Sequence, residues 1–184
     1  MERSAVYRRA LAPIVIFAGT IGVLASISGY SFHLDSPLAF SLFWFTAAAI
    51  AISGAFVIVR RQAIKAAEPF WSPPTRRIAQ TMLPPLTAGF VVGVVFTYGG
   101  LPEVLPFLWA LFYGCALHAA GFCVPRGVKW LGWIYIILAA IGFALLAGSR
   151  LNSNPHILMG FFFGVLHLVY GAYLYLTEKG KNAA

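Results

Sequence analysis

His118 and His167 are the side chains best placed to do chemistry in this chain, because each lies within a long apolar run and shares a helical face with small residues. In Gly160-Phe-Phe-Phe-Gly164-Val-Leu-His167-Leu-Val-Tyr-Gly171 the glycines and the histidine recur at i, i+4, i+7 and i+11. Ala110-Leu-Phe-Tyr-Gly114-Cys115-Ala-Leu-His118-Ala-Ala-Gly121 repeats the arrangement at i, i+4, i+8 and i+11. On a helix each set forms one stripe. Such stripes let helix backbones approach closely inside a membrane, where an ionisable group is costly enough to mark a candidate site. Two neutral imidazoles on facing helices, flanked by small residues, are what a haem b between them would need. Depth argues against that pairing. His118 lies toward one end of its run and His167 near the middle, an offset of about one helical turn. The other readings are a quinone-like or proton-coupled ligand, or a plain hydrogen bond from each histidine to a neighbouring helix.

The remaining reactive groups are sparse. His33 and His156 fall in turns near Asp35 and Glu103, an arrangement open to an outward-facing metal site or simply to interfacial polar residues in water. Cys115 stands three residues before His118, within reach of one metal, but a cysteine among small residues is ordinarily packing. Cys115 and Cys123 are separated by about 12 Å along a helix, too far for a disulfide. No Asp or Glu lies within any span, Glu103 belonging to the turn that leads into the fourth. Buried-carboxylate ion coupling and a paired-carboxylate protease are therefore disfavoured. No metalloprotease, phosphate-loop, serine-hydrolase or dinucleotide motif is present. The sequence assigns no catalytic residue and no metal ligand.

The elements that must carry these groups are apolar helices. Sixty per cent of the residues are hydrophobic and only 10% are charged, against about 25% charged in a soluble domain, so most of the exterior must face the lipid bilayer. Six runs at about 10–30, 37–59, 79–98, 103–124, 128–147 and 156–177 predict an all-α, six-transmembrane-helix bundle in a single membrane domain. The first run follows Arg3, Arg8 and Arg9, and it is longer than a signal peptide's apolar core and lacks a good cleavage site, so it reads as a retained span. The third run contains Pro84 and Pro85. It is expected to begin near Ile78 and kink, freeing the carbonyls of Gln80 and Thr81, whose polar side chains would help rebuild the lost bonding. Gly89 and Gly93 give it a close-packing pair.

Basic residues alternate with the runs. The amino terminus, second loop, fourth loop and tail hold every Lys and Arg except Arg150, while the opposite turns carry Asp35 and Glu103. Both termini are accordingly expected in the cytoplasm of a prokaryotic inner membrane. The net charge of +8 thus reads as a topology signal, with no nucleic-acid partner. The repeated stripe in the fourth and sixth runs suggests three helical hairpins, pairing runs 1 with 2, 3 with 4 and 5 with 6. The leading expectation for function is a non-enzymatic binding module, taking a membrane-protein partner, a second copy of itself or an apolar ligand. Its groove would be lined by Gln80, Thr81, Pro84 and Pro85 of helix 3, Gly114, Cys115, His118 and Gly121 of helix 4, and Gly160, Gly164, His167 and Gly171 of helix 6. The alternative is a haem b or quinone-binding redox subunit, or a small oligomeric transporter, using His118 and His167.

Overall fold

The computed structural model describes residues 3–65, 67, 69, 71–124, 126–148 and 153–181, and among them there is helix but no strand. In chain order the elements are α1 (Arg3–Ser31), α2 (Pro37–Lys65), α3 (Pro73–Tyr98), α4 (Leu105–Ala120), α5 (Arg126–Ala147) and α6 (Pro155–Met159). A π-helical segment (Gly160–Val165) and α7 (Leu166–Lys181) follow α6 without a break, and the three together form one rod. The stretches Leu11–Ser31, Pro37–Lys65, Thr75–Tyr98, Gly127–Ala147 and Pro155–Thr177 are each long and apolar enough to cross a membrane. That is the mark of a helical, multi-pass membrane protein. Arg150 and Asn152, expected in the last outer loop, lie outside the described residues.

The helix ends differ from the hydropathy boundaries in ways that local chemistry explains. Most helices run past the apolar limits, since polar residues beyond the run still propagate a helix. The exception is α4, which stops at Ala120 rather than reaching Val124. Gly121 donates its N–H to the carbonyls of Leu117 and His118, tightening the last turn, and Pro125, next but three in sequence, biases Val124 away from helix. His118 therefore sits in the final turn of a 16-residue helix. In α3 the helix begins at Pro73, not near Ile78, and carries Pro84 and Pro85 inside it. Prolines at its first two positions lose nothing there, because those N–H groups have no partner within the helix.

Packing is decided by glycine. A Cβ on Gly164 would stand 2.8 Å from Val23 Cγ2 and 2.9 Å from Val23 N, and one on Gly19 would stand 2.9 Å from the Leu168 backbone N. The α6–α7 rod therefore lies directly on α1, with Gly160 against Ser26 and Gly171 against Ile16. In the same way Gly114 of α4 and Gly132 of α5 bring two backbones together, each Cβ position lying 2.8 Å from the other's carbonyl oxygen. Gly89 faces Phe112 and Gly93 faces Trp109, which seats α3 on α4. Two of the three expected hairpins, α1 with α2 and α3 with α4, are thus packed pairs. The third is not. The backbone of α5 packs on α4 and that of the final rod on α1, so the gap between the two is filled by large side chains, chiefly Tyr135, Phe162, Phe163 and Tyr170. With the α6–α7 rod counted as one, α4 is the shortest rod and also the most enclosed, with Leu105, Ala110 and Ala116 fully buried.

Candidate functional site

The stripe centred on His167 divides in the folded chain. Gly160, Gly164 and Gly171 face α1, but at about 100° per residue His167 is turned roughly 60° away from Gly164, and its imidazole enters the gap between the rod, α4 and α5. There it is buried. Its Nε2 lies 2.8 Å from the Tyr113 hydroxyl of α4, and its Nδ1 lies 2.9 Å from the Tyr135 hydroxyl of α5. The Tyr135 hydroxyl in turn makes a short hydrogen bond to the carbonyl of Phe162.

The direction of these bonds follows from what each group can do. A carbonyl only accepts, so the single proton of Tyr135 goes to Phe162. The Tyr135 oxygen must then accept from His167 Nδ1–H, and Nε2 is left to accept the proton of Tyr113. The Phe162 carbonyl is available because the helix is widened at this point. Leu166, whose N–H would reach Phe162 in a regular α-helix, bonds five residues back to Phe161 instead. Three helices are joined by one neutral imidazole, and the π segment supplies the last acceptor. The rings of Phe163, Tyr113 and Tyr135 surround the imidazole at centroid distances of 5.3 to 6.1 Å.

His156 occupies a second buried site, near the start of the same rod. It has no exposed surface, in contrast to the expectation of an interfacial residue in water. Trp44 of α2 donates its indole N–H to Nδ1 at 3.1 Å, and Nε2–H donates to the Leu34 carbonyl at 3.2 Å. Gly29 of α1 makes the room, and Phe40 and Phe43 present their edges. With both nitrogens committed, His156 has none left for an outward metal site. His33 pairs only with Asp35, at 4.0 Å, and among the described residues no three metal-binding side chains converge.

His118 is placed apart from both. It is half-buried in the last turn of α4, edge-on to Phe122 and Trp133, with no hydrogen-bond partner for Nδ1. Its ring contacts, Phe122 and Trp133, differ from those of His167, and His167 has both nitrogens in use, so coordination of one haem by the pair would require breaking the tyrosine bonds. The helix 3 residues do not join the site either. Gln80 and Pro84 are exposed on the outer surface, and Thr81 bonds back to the Ile78 carbonyl at 2.9 Å rather than serving the carbonyls freed by the prolines. The stripe of α4 turns toward α5, with Gly121 against Lys129, and Cys115 is a half-buried free thiol.

Sequence reasoning found His167 and missed its partners. Tyr113 and Tyr135 stand eight and nine residues inside their helices, far from the interfacial belt that usually explains a membrane tyrosine. Their depth was the available signal. The opposing glycines Gly19, Gly22 and Gly132 were also legible as small-residue spacings but carry no reactive group to draw attention.

The fold and the buried imidazoles define a helical membrane protein whose interior is tied by neutral hydrogen bonds. No family model, curated protein or solved structure matches the chain, so that class rests on its own helices and side chains.

Proposed function

We propose that the chain is a six-span inner-membrane protein with both termini in the cytoplasm, acting as a non-enzymatic binding module at the Tyr113–His167–Tyr135 cluster. The site is lined by α4, α5 and the final rod, in place of the helix 3 groove expected from sequence. What supports the reading is one observation, the imidazole held between two tyrosines beside a π-widened segment. A buried histidine in a span and a π segment each favour a functional site over simple packing. The cluster has no carboxylate and no serine or cysteine nucleophile, and its tyrosines and imidazole are already committed to one another, so exchange of hydrogen bonds is the chemistry that it is best equipped for.

Tyr113 is its half-buried member, and its oxygen retains lone pairs after donating to His167. An apolar ligand or partner helix bearing one donor would dock there and be read through the relay into the π segment. The test is gentle extraction of the intact protein, followed by mass spectrometry of what co-purifies. Tyr113→Phe and His167→Gln are expected to lose the bound species while Tyr173→Phe, on the exposed surface, keeps it. Equal retention in all three would sink the assignment, and a Soret band lost on changing either His118 or His167 would replace it with haem binding.

A further inference from the structure

We propose that the groove between α1 and α2 holds one anionic phospholipid, with an acyl chain lying along α2 and the phosphate between Arg60 and Arg61. The groove has a volume of about 460 Å³ and is walled by Thr46, Ile50, Ser53 and Val57 of α2 and by Phe17 of α1. Its depth comes from small residues. Gly54 lets the Phe17 ring lie against the α2 backbone, where a Cβ would collide with it, and Ser53 beside it adds little bulk. Thr46 turns its hydroxyl back to the Leu42 carbonyl at 2.8 Å, so the wall that it offers is apolar.

Length decides between a lipid and a helix as the occupant. From Thr46 to Val57 the groove rises about 16 Å, close to half of the roughly 30 Å of hydrocarbon. Thr46 stands near the middle of its apolar run and Val57 near the basic end, so the groove occupies one leaflet. Beyond Thr46 the side chain of Leu42, 58% exposed, stands on the surface instead. A partner helix runs through both leaflets, whereas an acyl chain stops at the middle. Charge decides which lipid. Arg60 and Arg61 follow Val57 and fall about 50° to either side of the line through Thr46, Ile50, Ser53 and Val57, one flanking each edge of the groove's end. Both are exposed, neither α1 nor α2 contains an acidic residue, and among the described residues neither arginine has an ion-pair or hydrogen-bond partner. Two unpaired guanidiniums at headgroup level suit a phosphate, which accepts from both at once. The site is separate from the His167 cluster and does not depend on it.

The test uses the full chain, stripped of lipid in a neutral detergent and titrated separately with phosphatidylglycerol and with phosphatidylethanolamine of the same chains, binding being read by native mass spectrometry and thermal midpoint. One phosphatidylglycerol should bind and raise the midpoint. Each basic residue near the surface is worth about fivefold toward an anionic lipid, so Arg60→Gln combined with Arg61→Gln should weaken phosphatidylglycerol about 25-fold and leave phosphatidylethanolamine unchanged. Ser53→Leu, filling the groove from an exposed position, should weaken both lipids. Arg76→Gln combined with Arg77→Gln removes the same charge from α3 and should bind as wild type. Without lipid all these variants should melt with wild type, because the altered side chains are exposed. The proposal is overturned if the α3 pair loses phosphatidylglycerol as the α2 pair does, which assigns binding to the diffuse charge of that end, or if Ser53→Leu binds it as tightly as wild type. A dimer that Ser53→Leu dissociates and phosphatidylglycerol leaves intact overturns it as well, giving the groove to a second copy of the chain.

Discussion

The two buried imidazoles show how a neutral histidine is kept neutral by its neighbours' bonding capacity. His167 carries its proton on Nδ1 and His156 carries its own on Nε2, each fixed by one partner that can only accept or only donate. The tyrosines around His167 are consequently unequal. Tyr135→Phe removes the nearer acceptor for Nδ1–H, leaving it the Phe162 carbonyl at 3.4 Å, and also the donor to Phe162, whereas Tyr113→Phe removes one donor. Hydrogen bonds between membrane helices contribute about 0.6 kcal/mol on average and about 1.7 at most, so Tyr113→Phe should cost about 1 kcal/mol and Tyr135→Phe about twice that. Unfolding in mixed micelles by increasing anionic detergent measures the order. A greater loss for Tyr113→Phe would reverse the deduced proton directions. At the other site, Trp44→Phe should cost about 1 kcal/mol by leaving His156 Nδ1 with no donor.

At the scale of elements, glycine position outweighs residue volume. A leucine at Gly164 would drive into the Val23 backbone of α1, and one at Gly132 into the His118 backbone N, 2.6 Å from the Cβ position. A leucine at Val169, which is 61% exposed, changes nothing but the outer surface. Gly164→Leu and Gly132→Leu should therefore lower the thermal midpoint sharply or abolish recovery of folded protein, with Val169→Leu indistinguishable from wild type. Comparable melting of all three would mean that the close approaches are not what holds the bundle. The helices and the two glycine faces were readable because composition and spacing are local properties of a chain. Which helix each face meets was not, because the code for contact is the same small residue on both sides. The grouping into three hairpins failed on that point, because α5 packs on α4 and the final rod on α1. Gln80 and Thr81 looked functional for their polarity alone, whereas Tyr135 lay inside a run whose apolar neighbours hid it.

At the scale of the whole molecule, the proposed topology turns on α4. Its 16 residues rise about 24 Å, short of the roughly 30 Å of hydrocarbon, and hydropathy alone would leave its crossing in question. Its surroundings remove the difficulty. α4 is packed between α3, α5 and the final rod, so most of its length faces protein and need not match the lipid thickness. If α4 crosses, Cys123 lies on the same side as both termini, at the end rich in Lys and Arg, and the turn containing Phe32 lies opposite. Both positions are exposed, Phe32 at 74%. With Cys115→Ser leaving Cys123 as the sole thiol, a membrane-impermeant maleimide should leave intact cells unlabelled and label the protein once they are permeabilised. Cysteine introduced at Phe32 in a chain lacking both native thiols should label without permeabilisation. Labelling of Cys123 in intact cells would place the α4–α5 turn outside and remove the even count of spans, together with the inward placement of the basic loops on which the orientation depends.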